Sequence, residues 1–251
     1  MGRNIQTTAD QWINLLVCLV VVMITQVDAA GQVIQIGGLQ AYVSGPKDSK
    51  IAVILASDVF GFEIPHLRQI ADKVGAAGIY TLVPDFFKGD PFVSDDPKKP
   101  FNDWIKKHLP EKGIDDAKPL IEALKSKGIT KIGAAGFCWG GKVTVDLAKI
   151  SDVQAVVLLH PTGVTVQDIQ GVNVPTAILG GQNDALVSPN LLRQFELALE
   201  AKRPKVDSLL KIFPGAEHGW TTRYNDTDPA AVSRAAEAHK ELLNWFKKYL
   251  K

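Results

Sequence analysis

From residue 51 to residue 249, short apolar runs alternate with stretches of helical periodicity, and few folds can accommodate that alternation. The runs are "IAVILAS" (51–57), "IYTLVPD" (79–85), "KIGAAGF" (131–137), "VQAVVLLH" (153–160), "PTAILGG" (175–181) and "SLLKIFPG" (208–215). Between them lie amphipathic segments: one from Glu63 with Ile64, Leu67, Ile70 and Val74 on one face, then 114–127, 142–150, 191–201 and a closing helix over 230–249. A strand that is apolar on both sides must be covered on both faces, so the pattern predicts a mostly parallel sheet with helices on each side. Ahead of it, "QVIQIGGLQAYVSG" alternates apolar and polar residues around Gly37-Gly38 and predicts an antiparallel hairpin, for a sheet of about eight strands. Residues 86–113, rich in Pro, Asp and Lys, read as a long surface excursion with one short helix near Trp104. No repeat or linker divides the chain, which predicts one α/β domain over 30–251.

The composition, 46% hydrophobic and 22% charged, supplies a core for such a sheet. With 28 basic and 27 acidic residues the formal charge is +1, and no basic block is interleaved with aromatics, so nucleic acid is excluded as a partner. A small molecule or a neutral polymer fits better. Residues 1–29 differ from the rest: Arg3 precedes the apolar "INLLVCLVVVMITQV", and Val27-Asp28-Ala29 follows. That order predicts a secretory signal peptide cut after Ala29 and a secreted protein. An uncleaved anchor and a cytoplasmic protein with an extension are the alternatives. Export leaves Asn225-Asp226-Thr227 as a glycosylation acceptor, whereas a lone thiol in an oxidising space argues for the cytoplasm.

That thiol sits in "AAGFCWGGK" (134–142), between a strand signal and a helix signal. With the amino-terminal segment removed it has no disulfide partner, so it serves packing or chemistry. Gly136-Phe137-Cys138-Trp139-Gly140 has the form G-x-C-x-G, a cysteine version of the nucleophile elbow, where a tight turn lifts the central side chain out of the sheet. Side chains at the two glycines would strike the neighbouring strand or helix. The helix that starts at the thiol favours the thiolate through its dipole.

A nucleophile needs a base, and the base needs an orienting group. In chain order "GGQNDALVSP" places Asp184 after one strand and "PGAEHGW" places His218 after the last, the order nucleophile, acid, histidine of α/β-hydrolases. Read singly, Cys138 could be a packing residue, Asp184 a helix cap and His218 a surface histidine.

"GFCWGG", "GGQNDALVSP", "PGAEHGW", "DVFGFE" and "VPDFF" together resemble the dienelactone hydrolase family, and "GGLQAYVSGP" resembles its plant-type members. The resemblance covers about residues 31–251. It implies an α/β-hydrolase fold and a Cys138, Asp184, His218 triad acting on esters or lactones without a cofactor. It also implies an oxyanion hole from the Val59 and Trp139 amides. Where the bacterial enzymes have a glutamate near the thiol, this chain has Asp58, one methylene shorter. Arg223 lies near, but not in register with, one arginine that holds the substrate carboxylate there; Gly89, beside Lys88, stands at the other. Some grass members carry the description endo-1,3;1,4-β-glucanase, so cell-wall glucan is an alternative substrate. A low-turnover ligand-binding protein is a further one.

His160 ends a strand and is a candidate for the substrate pocket, or a hydrogen-bonded structural residue. His66, His108 and His239 read as surface positions, and the five histidines show no metal-ligand spacing. Glu63 reads as a helix amino-terminal residue. Trp104, Trp139, Trp220, Phe86 and Phe87 line either the pocket or the core. Whether the protein is a monomer or a homodimer stays open.

Overall fold

The computed structural model describes residues 31–251, so the expected signal segment lies outside the described residues. Eight strands form one sheet: β1 (Gln32–Ile36), β2 (Leu39–Ser44), β3 (Ile51–Ala56), β4 (Tyr80–Pro84), β5 (Lys131–Phe137), β6 (Ala155–Leu159), β7 (Thr176–Gly181) and β8 (Ser208–Phe213). Their spatial order is β1-β2-β4-β3-β5-β6-β7-β8. β1 and β2 are antiparallel, β2 runs antiparallel to β4, and every later pairing is parallel. This is the mostly parallel sheet that the alternation predicts, in the α/β-hydrolase-type arrangement that the family resemblance implies.

The turn of the β1–β2 hairpin is Gly37-Gly38, both with positive φ. Gly37 is doubly constrained, because a Cβ there would meet the backbone of Leu120. The parallel strands are buried on both sides. In β3, Ala52, Ile54 and Ala56 face one core layer while Val53 and Leu55 face the other. The first layer is closed by α3 (Gly113–Ser126), α4 (Trp139–Leu147), α5 (Val166–Gly171) and α6 (Pro189–Glu200) through Leu120, Val143, Ile169 and Phe195. The second is closed by α1 (Pro65–Gly75) and α7 (Pro229–Tyr249) through Leu67, Ile70, Leu242 and Phe246.

Three local readings need correction. α4 begins at Trp139, three residues before the expected start, because Gly140 and Gly141 look like turn residues but are helical. α5 was not expected; it is six residues long, too short for a periodicity, and is nucleated by a capping box between Thr165 and Asp168. His239 is buried rather than at the surface, its Nε2 donating to the Thr221 carbonyl at 2.9 Å. The excursion after β4 contains the expected short helix, α2 (Phe101–Lys107), and then a 3₁₀ turn at Pro110–Lys112. Trp104 in α2 is buried in the core, as are Phe86, Phe87, Trp139 and Trp220.

β4 lies on one side of β3 and β5 on the other, so the strand order reverses between β3 and β5. Outside the carboxyl ends of strands at such a reversal a crevice opens, the usual ligand position in open α/β sheets. Asp58 and Val59 follow β3 and Cys138 follows β5.

Candidate active site

Cys138 joins β5 to α4 with φ 52° and ψ −111°, a backbone conformation hostile to any side chain. The surroundings hold it there. Its N–H donates to Leu159 O at 3.1 Å, and its carbonyl accepts from Gly141 N–H at 2.9 Å and Thr162 N–H at 3.0 Å. The flanking glycines carry the steric argument: a Cβ at Gly136 would overlap the Gly140 carbonyl, and one at Gly140 would overlap the Ala56 carbonyl on β3. Gly140 N–H donates to Ser57 O at 3.1 Å, pinning α4 to the end of β3. The elbow is thus built by close approach of three backbone segments.

The loops after β7 and β8 are tied together. Asn183 N–H donates to Ala216 O at 2.8 Å, and Gly215 N–H to Gln182 Oε1 at 2.9 Å. They bring Asp184 Oδ2 to 2.8 Å from His218 Nδ1. Asp184 Oδ1 accepts from the Leu186 and Val187 amides at 2.8 and 3.1 Å, which fixes the carboxylate. His218 Nε2 is buried and finds no hydrogen-bond partner among the described residues. Burial pushes the His218 pKa down, but the Asp184 carboxylate and the Cys138 sulfur outweigh it, and the ring is pushed up to about 9. The imidazole thus stands between a carboxylate and a sulfur, both of which raise its affinity for a proton.

Asp58 and Arg223 come together. Arg223 Nη1 donates to Asp58 Oδ2, the guanidinium lies 5.0 Å from the Phe60 ring centroid, and Asp58 is only 1% exposed. Burial pushes the Asp58 carboxyl up against the pull of Arg223. His160 does not open onto solvent: it is 0% exposed, its Nε2 lies 2.6 Å from Thr221 Oγ1, and its ring meets the His218 ring edge-on with centroids 5.1 Å apart. Burial and the neighbouring His218 keep its pKa well below the ordinary value, so it stays neutral. The Val59 and Trp139 amides donate to no protein acceptor among the described residues. The Trp139 ring turns away from this region, packing on Phe86 and Phe87 and donating from Nε1 to His108 O at 2.8 Å.

Sequence reasoning missed two contributors. Thr162 places Oγ1 3.5 Å from Cys138 Sγ, and Phe92 N–H donates to Val59 O at 2.8 Å, docking the excursion onto the loop after β3. A polar residue just beyond the end of β6 was the available signal for Thr162; nothing local marks Phe92. Glu63 is exposed and pairs with Arg68. Lys88, beside Gly89, pairs with Asp116 at 2.9 Å. Among the described residues, no three His, Cys, Asp or Glu side chains converge as metal ligands, and no helix is long and apolar enough to cross a membrane.

The family model described as the dienelactone hydrolase family matches residues 39–250. A Zea mays protein named endo-1,3;1,4-beta-D-glucanase is 50% identical over 172 residues, taking in 68% of this chain and 55% of the maize protein. The carboxymethylenebutenolidase homolog of Xenopus tropicalis is 34% identical over 227 residues, 88% of this chain and 92% of that protein. Among solved structures, a Klebsiella pneumoniae protein assigned to the dienelactone hydrolases superimposes with a TM-score of 0.73 at 22% identity, over 87% of this chain and 98% of that one. At that identity the likeness speaks to the fold.

Proposed function

The chain belongs to the dienelactone hydrolase family and is a hydrolase, and on that premise we propose that it opens esters or lactones through a Cys138, His218, Asp184 triad and a thioester intermediate. The observation that carries the reading is His218, which holds Asp184 on one nitrogen while the other is buried and unpartnered, with a sulfur near enough to raise its proton affinity. The Cys138 proton passes to His218 Nε2, and Asp184 keeps Nδ1–H oriented and offsets the imidazolium charge. The thiolate attacks the carbonyl carbon. The Val59 and Trp139 amides, which have no protein acceptor among the described residues, are donors available to the oxyanion. His218 returns the proton to the departing alkoxide, leaving an acyl-thioester. Water then attacks that carbonyl with His218 as base, releasing the acid and restoring the thiol. If Asp184→Asn and His218→Ala both kept full turnover of the best ester found, these roles would be abandoned.

The maize relative's name favours a second reading, cleavage of mixed-linkage cell-wall glucan. Glycosidases ordinarily use two carboxyl groups about 5–9.5 Å apart. Here both carboxylates of the region are engaged, Asp58 by Arg223 and Asp184 by His218, which weighs against that chemistry. Release of reducing ends from mixed-linkage glucan by pure protein, undiminished in Cys138→Ala, would put the glucanase reading first.

Export rests on residues 1–29 alone. We infer a mature chain starting at Ala30, and amino-terminal sequencing of protein from its native tissue decides between that and an intact Met1 or Gly2.

A further inference from the structure

The mechanism above leaves the Asp58 carboxylate without a task, although a buried carboxylate is costly to keep. Its contacts suggest what it does. Oδ1 accepts from Phe60 N–H at 2.9 Å, and the Asp58 carbonyl accepts from Gly61 N–H at 3.1 Å, so side chain and backbone together fold 58–61 into a tight turn. The Val59 carbonyl is taken by Phe92 N–H. With its neighbours so engaged, the Val59 amide is held as a free donor.

The other carboxylate oxygen reaches across the site. Oδ2 accepts from Arg223 Nη1 and, at 3.4 Å, from Thr222 Oγ1, both in the turn that follows His218. That turn is fixed in its own right: Thr222 and Arg223 N–H both donate to Gly219 O, at 3.0 and 2.9 Å. Gly219 has φ 82°, and a Cβ on it would overlap the guanidinium, so the arginine packs flat against the residue next to the base.

We propose that Asp58 and Arg223 form a clamp that sets the oxyanion donor Val59 N–H in register with His218, making both positioning residues rather than anchors for a substrate carboxylate. The inference rests on the triad reading. Its consequence is a preference for uncharged acyl groups, because the arginine is committed to Asp58, and Lys88, beside the other family position, is paired with Asp116.

The test uses p-nitrophenyl acetate and its carboxylate-bearing analogue, mono-p-nitrophenyl succinate, with the full chain and with Asp58→Ala, Asp58→Asn, Arg223→Met and Arg223→Lys. Loss of an oxyanion donor costs about 10²–10³ in kcat, so misplacing one should cost roughly 10–100-fold. That fall is expected for Asp58→Ala and Arg223→Met, in kcat and not in KM, and equally on both esters. Asp58→Asn keeps the Oδ1 acceptor for Phe60 and Arg223→Lys keeps a donor, so both should recover most of the loss, and they decide the matter if the harsher variants do not fold. The His218 imidazole titration, followed by NMR, should remain that of a ring paired with Asp184 in the two conservative variants. A rise in KM confined to the succinate ester in Arg223→Met would make the arginine a carboxylate anchor and overturn the clamp. Unchanged kcat in every variant would overturn it too. Full activity of Cys138→Ala would instead remove the triad beneath it, a distinguishable failure.

Discussion

His218 Nδ1 and Asp184 Oδ2 lie 2.8 Å apart across the gap between the loops after β7 and β8, and the carboxylate has no freedom to turn away, since its other oxygen accepts from two amides. Asp184→Asn keeps the size but removes the charge and allows the amide to present a donor to the ring. The expected loss is about 10²–10⁴-fold in kcat on the best ester, with the fold intact by circular dichroism. NMR titration of His218 in the variant should give a lower pKa than the wild type's, because the charge-assisted hydrogen bond to Asp184, the largest single contribution that raises it, has gone. An unchanged titration would mean that Asp184 does not control the base.

The buried histidines pull stability in two directions with pH. His218 is pushed up to about 9, so between about 6.5 and 9 the folded state keeps a proton that the unfolded chain loses. Its contribution, roughly 3 kcal/mol at most, is complete below about pH 6.5 and lost as pH rises through about 9. His239 is pushed down to about 4, first by burial. Below pH 6.5 the unfolded chain takes up a proton that folded His239 refuses, so stability falls as pH drops towards 4, and His160 acts in the same sense. Asp58, raised by burial, works against this acid limb, so the informative quantity is a difference. Urea midpoints between pH 4.5 and 9 should peak near 6.5. The acid limb should flatten in His239→Leu and the alkaline limb in Asp184→Asn.

What the sequence shows and what it hides divide by range. Each strand-end residue of the site announces itself locally: Cys138 between glycines, Asp184 before a proline-started helix, His218 in a glycine-bounded loop. Unbroken apolar runs mark the parallel strands, because burial on both faces imposes them, and a 3.6-residue period marks most helices. The contacts that make the site work are not local. Asp58 and Arg223 are 165 positions apart, and only the fold of β3 and of the turn after His218 puts a carboxylate beside that guanidinium. His239 reads as a surface helical residue because the carbonyl that holds its buried ring, that of Thr221, lies 18 positions away, outside the helix. Phe92 docks on Val59 through its backbone N–H, which no side-chain pattern encodes.

The nucleophile elbow should tolerate no added carbon at its glycines. A Cβ at position 136 runs into the Gly140 carbonyl and one at 140 into Ala56, both rigid backbone rather than flexible side-chain ends. Gly136→Ala and Gly140→Ala are each expected to cost about 3 kcal/mol or more, or to give insoluble protein. Gly38→Ala is the control: among the described residues nothing lies within 4 Å of a Cβ there, so the positive φ is what opposes it, at about 1 kcal/mol. Equal loss at all three positions, measured by urea denaturation, would contradict the steric account.

Cys138 separates function from stability most sharply, because its side chain and its backbone make opposite demands. The residue holds φ 52° and ψ −111°, a region in which only glycine is at ease, and four backbone hydrogen bonds around the turn keep it there. Cys138→Ala removes the sulfur and leaves the strain; Cys138→Gly removes both. Both should lose turnover on every ester and lactone the wild type cleaves, and neither should be labelled by iodoacetamide at this position. Their stabilities should differ: the glycine variant gains about 1–3 kcal/mol of relieved strain and gives back about 0.4–1 kcal/mol to the freer unfolded chain, leaving it about 1 kcal/mol above the alanine variant. Thermal or urea denaturation of the pair measures that gap directly. A glycine variant less stable than alanine would mean that the turn stores no strain, and an alanine variant that still hydrolysed esters at the wild-type rate would mean that Cys138 is there only to pack.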